Sequence, residues 1–299
     1  EEFESLITDI KLQLGVDDEL GQRMVIKCEE YQDVVRMLMH RGKKEFYDYS
    51  CKLYGSPKDT FRDERTTIND LAHVMYTILS TLDDAVLGPV YPDDITAEET
   101  VRILNEKFST YFTDNPVRAK ISDGIVADAA AGSDTVKIKE GAMFNRRDIN
   151  ILEVHEGWVH VGTTMNGQNQ HLCRFLAKGP PRVAPTQEGL AILLEIFSFV
   201  SYPRRARTIN DRVLGIDKVE DGANLLELIE FYRTEGYSEE DCINNVKRVF
   251  RGGLVTGGAP FTKDIAYIKG FIENYNFMRA AIKAGKPEYI PYLFVLKVH

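Results

Sequence analysis

The sequence predicts a mainly helical α+β protein, and three observations carry that expectation. Apolar residues recur at helical spacing through most of the chain. One stretch, 120–139, switches to β-branched residues and apolar–basic alternation. Turn and cap residues fall where those segments must start and stop. With 299 residues, 43% of them hydrophobic, the chain can bury a sizeable core. Its organisation reads as an N-terminal helical lobe over 1–114 and a core over 115–299, or as one unit overall.

Residues 3–54 carry two or three helices, marked by Leu6, Ile10 and Leu14 and then by Val34, Val35, Leu38 and Met39. His40 stands beside Arg41-Gly42-Lys43-Lys44 at a helix end, where cations suit the dipole. Leu53-Tyr54-Gly55-Ser56-Pro57 is a stop signal. Helices over roughly 62–83 and 96–111 follow, the second opened by Thr96 with Glu99 in a capping-box spacing. His73, near Leu71, Val74 and Met75, is expected in the core or at its boundary.

Ile121, Ile125-Val126 and Val136-Lys137-Ile138-Lys139 then read as a β-hairpin that turns at Ala131-Gly132-Ser133-Asp134. Such a hairpin either covers the core or offers an edge to a substrate backbone. Asn145, with Asp148 in the first turn, caps a helix that runs through Ile149, Ile151, Leu152 and Val154. Asn166-Gly167 marks a turn, and Pro180-Pro181 and Pro185 argue against regular helix in the loop beyond. An apolar helix opens at Thr186 and includes Ile192, Leu193, Leu194, Ile196, Phe197 and Val200. Residues 264–284 return to amphipathic helix, read as scaffold.

The net charge of −9 argues against a general nucleic-acid binder. Cys28, Cys51, Cys173 and Cys242 form no C-x-x-C pair, which favours free thiols in a reducing compartment. No apolar run is long enough to span a bilayer. The chain opens on Glu1-Glu2-Phe3-Glu4, without signal-peptide character or an initiating Met. The expectation is a segment of a longer cytoplasmic protein.

The stretch that carries chemistry is His155-Glu156-Gly157-Trp158-Val159-His160. Two histidines with a glutamate between them are the parts of a metal site with its own base. The familiar pattern, H-E-x-x-H, sets its histidines at i and i+4 on one helix face. Here one more residue intervenes, and on an ideal α-helix i and i+5 lie ~140° apart. Both imidazoles reach one ion only if the helix widens to i→i+5 turns, a π-type winding. Gly157 would ease that distortion. Trp158 reads as packing or as the wall of a pocket.

A third ligand must come from elsewhere. Glu188 stands at the start of an apolar helix, where an unpaired charge is costly to bury. Glu195, seven residues on, shares its face and is an alternative ligand or a partner to one. His171 is the other competitor.

H-E-x-x-x-H, then T-T-M-N-G, Q-E-G-L-A, Arg251-Gly252-Gly253 and Phe261-Thr262-Lys263-Asp264 occur in one order. Together they resemble the bacterial flavohaemoglobin expression-modulating QEGLA-motif proteins, relatives of the microtubule-associated tyrosine carboxypeptidases of animals. The resemblance covers most of the chain, with Leu53-Tyr54-Gly55 and the hairpin included. Many members read H-E-I-G-x-H, so Gly157 and Trp158 reverse the order of large residue and glycine.

The resemblance implies a zincin-like metallopeptidase fold that binds Zn2+ through His155, His160 and Glu188, with Glu156 as general base and later acid. The expected activity is removal of a C-terminal residue, aromatic ones among the candidates, from a peptide or protein. A carboxypeptidase must also hold a free α-carboxylate, which arginine grips with a fork and lysine as a point charge. Lys263, Arg248 and Arg251 are the candidates, and Tyr267 is one for steadying the oxyanion. Arg204, Arg205 and Arg207 are further possible contacts. The rival class is a regulatory or binding protein that keeps the metal fold without turnover. A purely structural metal site leaves Glu156 without a task.

Overall fold

In the computed structural model the first 54 residues form three helices, α1 (Glu2–Leu14), α2 (Glu19–Met39) and α3 (Lys44–Tyr54). The structure describes all residues except 16, 83–85, 87–90, 126, 296 and 298–299. Val126 and residue 83, expected in a strand and at a helix end, lie outside the described residues. Helix α4 (Ile68–Leu79) starts six residues later than the apolar spacing suggests. The cause is local: Asp63 Oδ1 accepts from the N–H groups of Arg65 and Thr66, so 62–67 form a turn instead of a helix start. His73 is exposed there, neither in the core nor at its boundary.

Strand β1 (Ile95–Thr96) leads into α5 (Ala97–Tyr111), where the Thr96 side chain accepts from Glu99 N. The reciprocal half of the capping box is missing, because the Glu99 carboxylate turns to Arg102. Strands β2 (Arg118–Ser122), β3 (Ala129–Ala131) and β4 (Thr135–Lys139) form a sheet in the order β2-β4-β3. The antiparallel hairpin is β3 with β4, and β2, expected as its first arm, pairs parallel to β4 instead. Val136 and Ile138 point into the core while Lys137 and Lys139 face away. Asn105 of α5 mimics a peptide group, accepting from Ala119 N and donating to Ala119 O. That blunts the outer edge of β2.

After β5 (Met143–Phe144), Asn145 caps α6 (Arg146–Leu152) in a full capping box with Asp148. The helix continues without a break as a π-helix, Glu153–Val161, and then as α7 (Gly162–Gln168). Pro185 lies inside the first turn of α8 (Ala184–Phe197), contrary to the loop expected there. A first-turn proline has no intrahelical N–H bond to lose. The chain closes with α9 (Pro203–Glu220), α10 (Leu225–Thr234), α11 (Glu239–Phe250), α12 (Ile265–Lys283) and α13 (Tyr292–Val295). The architecture is mainly helical with small sheets. No helix among the described residues is long and apolar enough to cross a membrane.

The chain divides into two compact units. The first gathers Glu1–Thr77, Pro180–Ala184 and Thr208–Ala266; the second gathers Ile78–Gly179, Pro185–Arg207 and Tyr267–His299. In the first, Ile10, Val25 and Cys28 make one core, and Met37, Phe46 and Phe261 another. In the second, the π-helix lies between two cores. Val161 faces Leu104, Phe108, Val136, Ile138 and Ile149, whereas Val159 packs with Leu190, Leu193, Met278 and Leu293. A helix held on both sides has little freedom to slide, so the side chains on its remaining face are firmly placed.

Candidate metal centre

All five residues of the expected catalytic and metal set lie in the second unit. The five-residue spacing of the histidines is met by the π-helix, in which i and i+5 fall one above the other. Their rings come together at 4.8 Å between centroids and 82° between planes. Gly157 is required there by packing. A Cβ on it would lie 2.5 Å from Cε1 of the fully buried Phe108.

Glu188 arrives from the first turns of α8. Its Oε2 lies 3.2 Å from His155 Nε2 and 3.5 Å from His160 Nε2. Tetrahedral zinc with bonds of about 2.1 Å sets its ligand atoms about 3.4 Å apart. Both carboxylate contacts match that spacing, and the three donor atoms all lie within 4.8 Å of one another. His155, His160 and Glu188 therefore fit a divalent ion. His171, the competing ligand, is exposed.

The groups behind the donors were only partly visible in the sequence. His155 Nδ1 donates to Glu195 Oε1 at 2.7 Å, and Glu195 is fully buried. Arg205 grips the same carboxylate with Nε at 2.5 Å and Nη2 at 2.7 Å. Burial alone would raise the Glu195 carboxyl, but Arg205 and His155 together hold it down at about 2. Burial likewise works against a charged His155, yet the two carboxylates on its ring nitrogens raise it to about 10.

Behind His160, Gln187 Oε1 lies 3.4 Å from Nδ1 and accepts from Lys297 Nζ at 2.6 Å. Burial draws the Lys297 ammonium down to about 8 against the pull of Glu188 and Glu156. Glu156 is half-buried on the motif helix, next to the first ligand. The Tyr267 ring stands 6.2 Å from that of His155. The helical spacing of Glu195 from Glu188 points to it, and Arg205 is one of the three arginines that follow Tyr202-Pro203. Nothing in the sequence around Lys297 signals a role.

The basic residues expected at a substrate carboxylate belong to the first unit. Arg248 gives its fork to the buried Asp264, at 2.6 and 2.9 Å. Arg251 lies over the Phe261 ring at 5.2 Å, and Lys263 is half-buried. Trp158 stacks edge-on with Tyr111 at 5.3 Å, and the two line a cavity with Met165, Asn166 and Asn169.

Two imidazoles from a π-helix and one carboxylate from a neighbouring helix, with a second glutamate beside them, define the class: a helical protein with the donor set of a divalent-metal centre. Over residues 1–299 the sequence matches the family model described as microtubule-associated tyrosine carboxypeptidase, and the chain belongs to that family. No curated protein matches it significantly.

Proposed function

We propose that the chain is a zinc-dependent carboxypeptidase of zincin-like construction that removes a C-terminal residue, aromatic by preference, from a peptide or protein. The observation that carries this reading is the convergence of both Nε2 atoms on Glu188 Oε2 with Glu156 adjacent in the chain. Family membership supports the carboxypeptidase class. A zinc ion held there supplies Lewis acidity and a water acidified towards neutral pH.

The rest of the work falls to the protein. Glu156 takes the proton of the attacking water on its carboxylate and passes it to the departing amine nitrogen. Tyr267 is assigned the oxygen that becomes anionic, where a hydroxyl donor is worth most. Glu195 keeps the His155 proton on Nδ1 and its Nε2 lone pair towards the ion. The expected grip on the terminal carboxylate does not extend to Arg248, whose fork is taken by Asp264; protein C-termini such as that of tubulin are among the proposed substrates.

The test is release of the terminal amino acid from peptides ending in tyrosine, phenylalanine or other residues, with zinc restored and products weighed by mass spectrometry. Glu156→Gln is expected to cut the rate by about 10²–10⁴ while metal content holds. Wild type as inert as Glu156→Gln across a broad peptide library sinks the hydrolase reading. Metal retained in that inert protein then points to a regulatory role.

A further inference from the structure

Lys297 comes from the far end of the chain to the back of the His160 imidazole. Its Nζ donates to Gln187 Oε1 at 2.6 Å and to the His160 carbonyl oxygen at 2.9 Å. The segment that carries it is pinned nearby. Asn166 Nδ2 donates to the Phe294 carbonyl at 2.7 Å, Lys297 N donates to the Leu176 carbonyl at 3.1 Å, and Leu293 is buried beside Val159 and Leu190.

The hydrogen bonds at Gln187 show what this lysine does. Gln187 is 5% exposed, and its Nε2 is buried without a partner. The amide is therefore oriented only by what donates to Oε1. Three groups lie within reach of it: Lys297 Nζ, Thr163 Oγ1 at 2.9 Å and His160 Nδ1 at 3.4 Å. The Thr163 hydroxyl has one proton, and its shortest contact is the Val159 carbonyl at 2.6 Å. The two lone pairs of Oε1 are then left to Lys297 and to a proton on His160 Nδ1.

Suppose the amide turned over. Nε2 would face His160 Nδ1 as a donor and drive the imidazole proton to the other ring nitrogen. A proton on Nε2 finds a ready acceptor in Glu188 Oε2, 3.5 Å away. That arrangement pairs both ring nitrogens of His160 and blocks the metal position. An ammonium cannot face an amide NH2, so Lys297 excludes it.

We infer that Lys297 is a positioning residue that locks the Gln187 amide and, through it, the His160 tautomer whose Nε2 is free for metal. The inference rests on the metal reading above and adds to it a role for the chain end.

The experiment measures zinc affinity by chelator competition, with melting curves of the metal-free proteins alongside. Lys297→Met is expected to bind zinc about 10–100-fold more weakly than wild type. Gln187→Leu, which removes the amide itself, is expected to lose as much. Gln187→Glu placed in the Lys297→Met background restores most of the affinity, because a carboxylate presents an acceptor whichever way it turns. A purely structural lysine would not be rescued this way. The inference falls if Lys297→Met binds zinc like wild type, or if the double variant melts like wild type yet stays as weak as Lys297→Met. Wild type that binds no zinc overturns the metal reading and this inference with it.

Discussion

At the scale of single residues, the two histidines differ in what stands behind them. His155 has a buried carboxylate tied down by Arg205, and His160 has a neutral amide tied down by Lys297. A carboxylate behind a ligand raises its basicity more than an amide does, so in the proposed centre His155 is the stronger donor of the pair. The arrangement has a cost that a mutation exposes. Glu195 is fully buried, and its charge is tolerated because Arg205 and His155 share it. Arg205→Leu leaves that carboxylate half-paired in the interior. Removing one partner of a buried pair costs about 3–5 kcal/mol. The melting temperature of Arg205→Leu should fall by on the order of 10 °C. Glu195→Gln with Arg205→Leu, which removes the stranded charge, should recover part of that loss. A single variant that melts with wild type would show that Glu195 does not depend on its arginine.

At the scale of elements, both glycines of the two motifs are explained by close approach. Gly157 makes room for Phe108. In Gly189 a Cβ would run into the backbone of Gly270 in α12, and Gly270 in turn meets the Pro185 backbone. Helices α8 and α12 thus cross at a glycine contact, and backbone, unlike a side chain, cannot swing aside. The contact sits one residue from Glu188, so it also sets the depth at which that ligand enters the site. Gly189→Ala should push the helices apart, lower stability by 1–3 kcal/mol or more, roughly the cost of overpacking a core, and weaken zinc binding with it. Gly162→Ala is the control, since a Cβ there meets nothing closer than the Gly157 carbonyl at 3.7 Å. Equal melting and equal zinc affinity for Gly189→Ala and wild type would remove the glycine contact from the explanation of the site. The π-winding itself was legible beforehand, because the histidine spacing admits no other shared ion. The reason for Gly157 was not, because Phe108 lies 49 residues away in sequence and no local pattern links them.

At the scale of the whole molecule, legibility follows the range of the interaction. Caps at Asn145 and Thr96, the stop at Gly55 and the apolar helices are local, and each was readable from a few residues. The late start of α4 shows a local signal, the Asp63 turn, overriding periodicity. The parallel pairing of β2 with β4 depends on chain geometry that alternation does not encode. The second unit is assembled from three separated stretches, and Arg205 and Lys297 enter the site from its second and third. In the proposed centre zinc is therefore expected to stabilise residues far apart in sequence and close in space. A ligand at 100 times its Kd adds about 2.7 kcal/mol to the state that binds it. Amides that exchange through openings that break the site should slow by about 100-fold on adding zinc. We expect that slowing in 153–161, 184–197 and 293–295, with α1 and α2 of the first unit keeping their rates. Hydrogen exchange read by mass spectrometry, with and without zinc, checks this directly. Protection confined to 153–161 would mean that the motif helix holds the ion alone. Protection spread evenly over the chain would mean that zinc acts on global stability and not on the centre built from His155, His160 and Glu188.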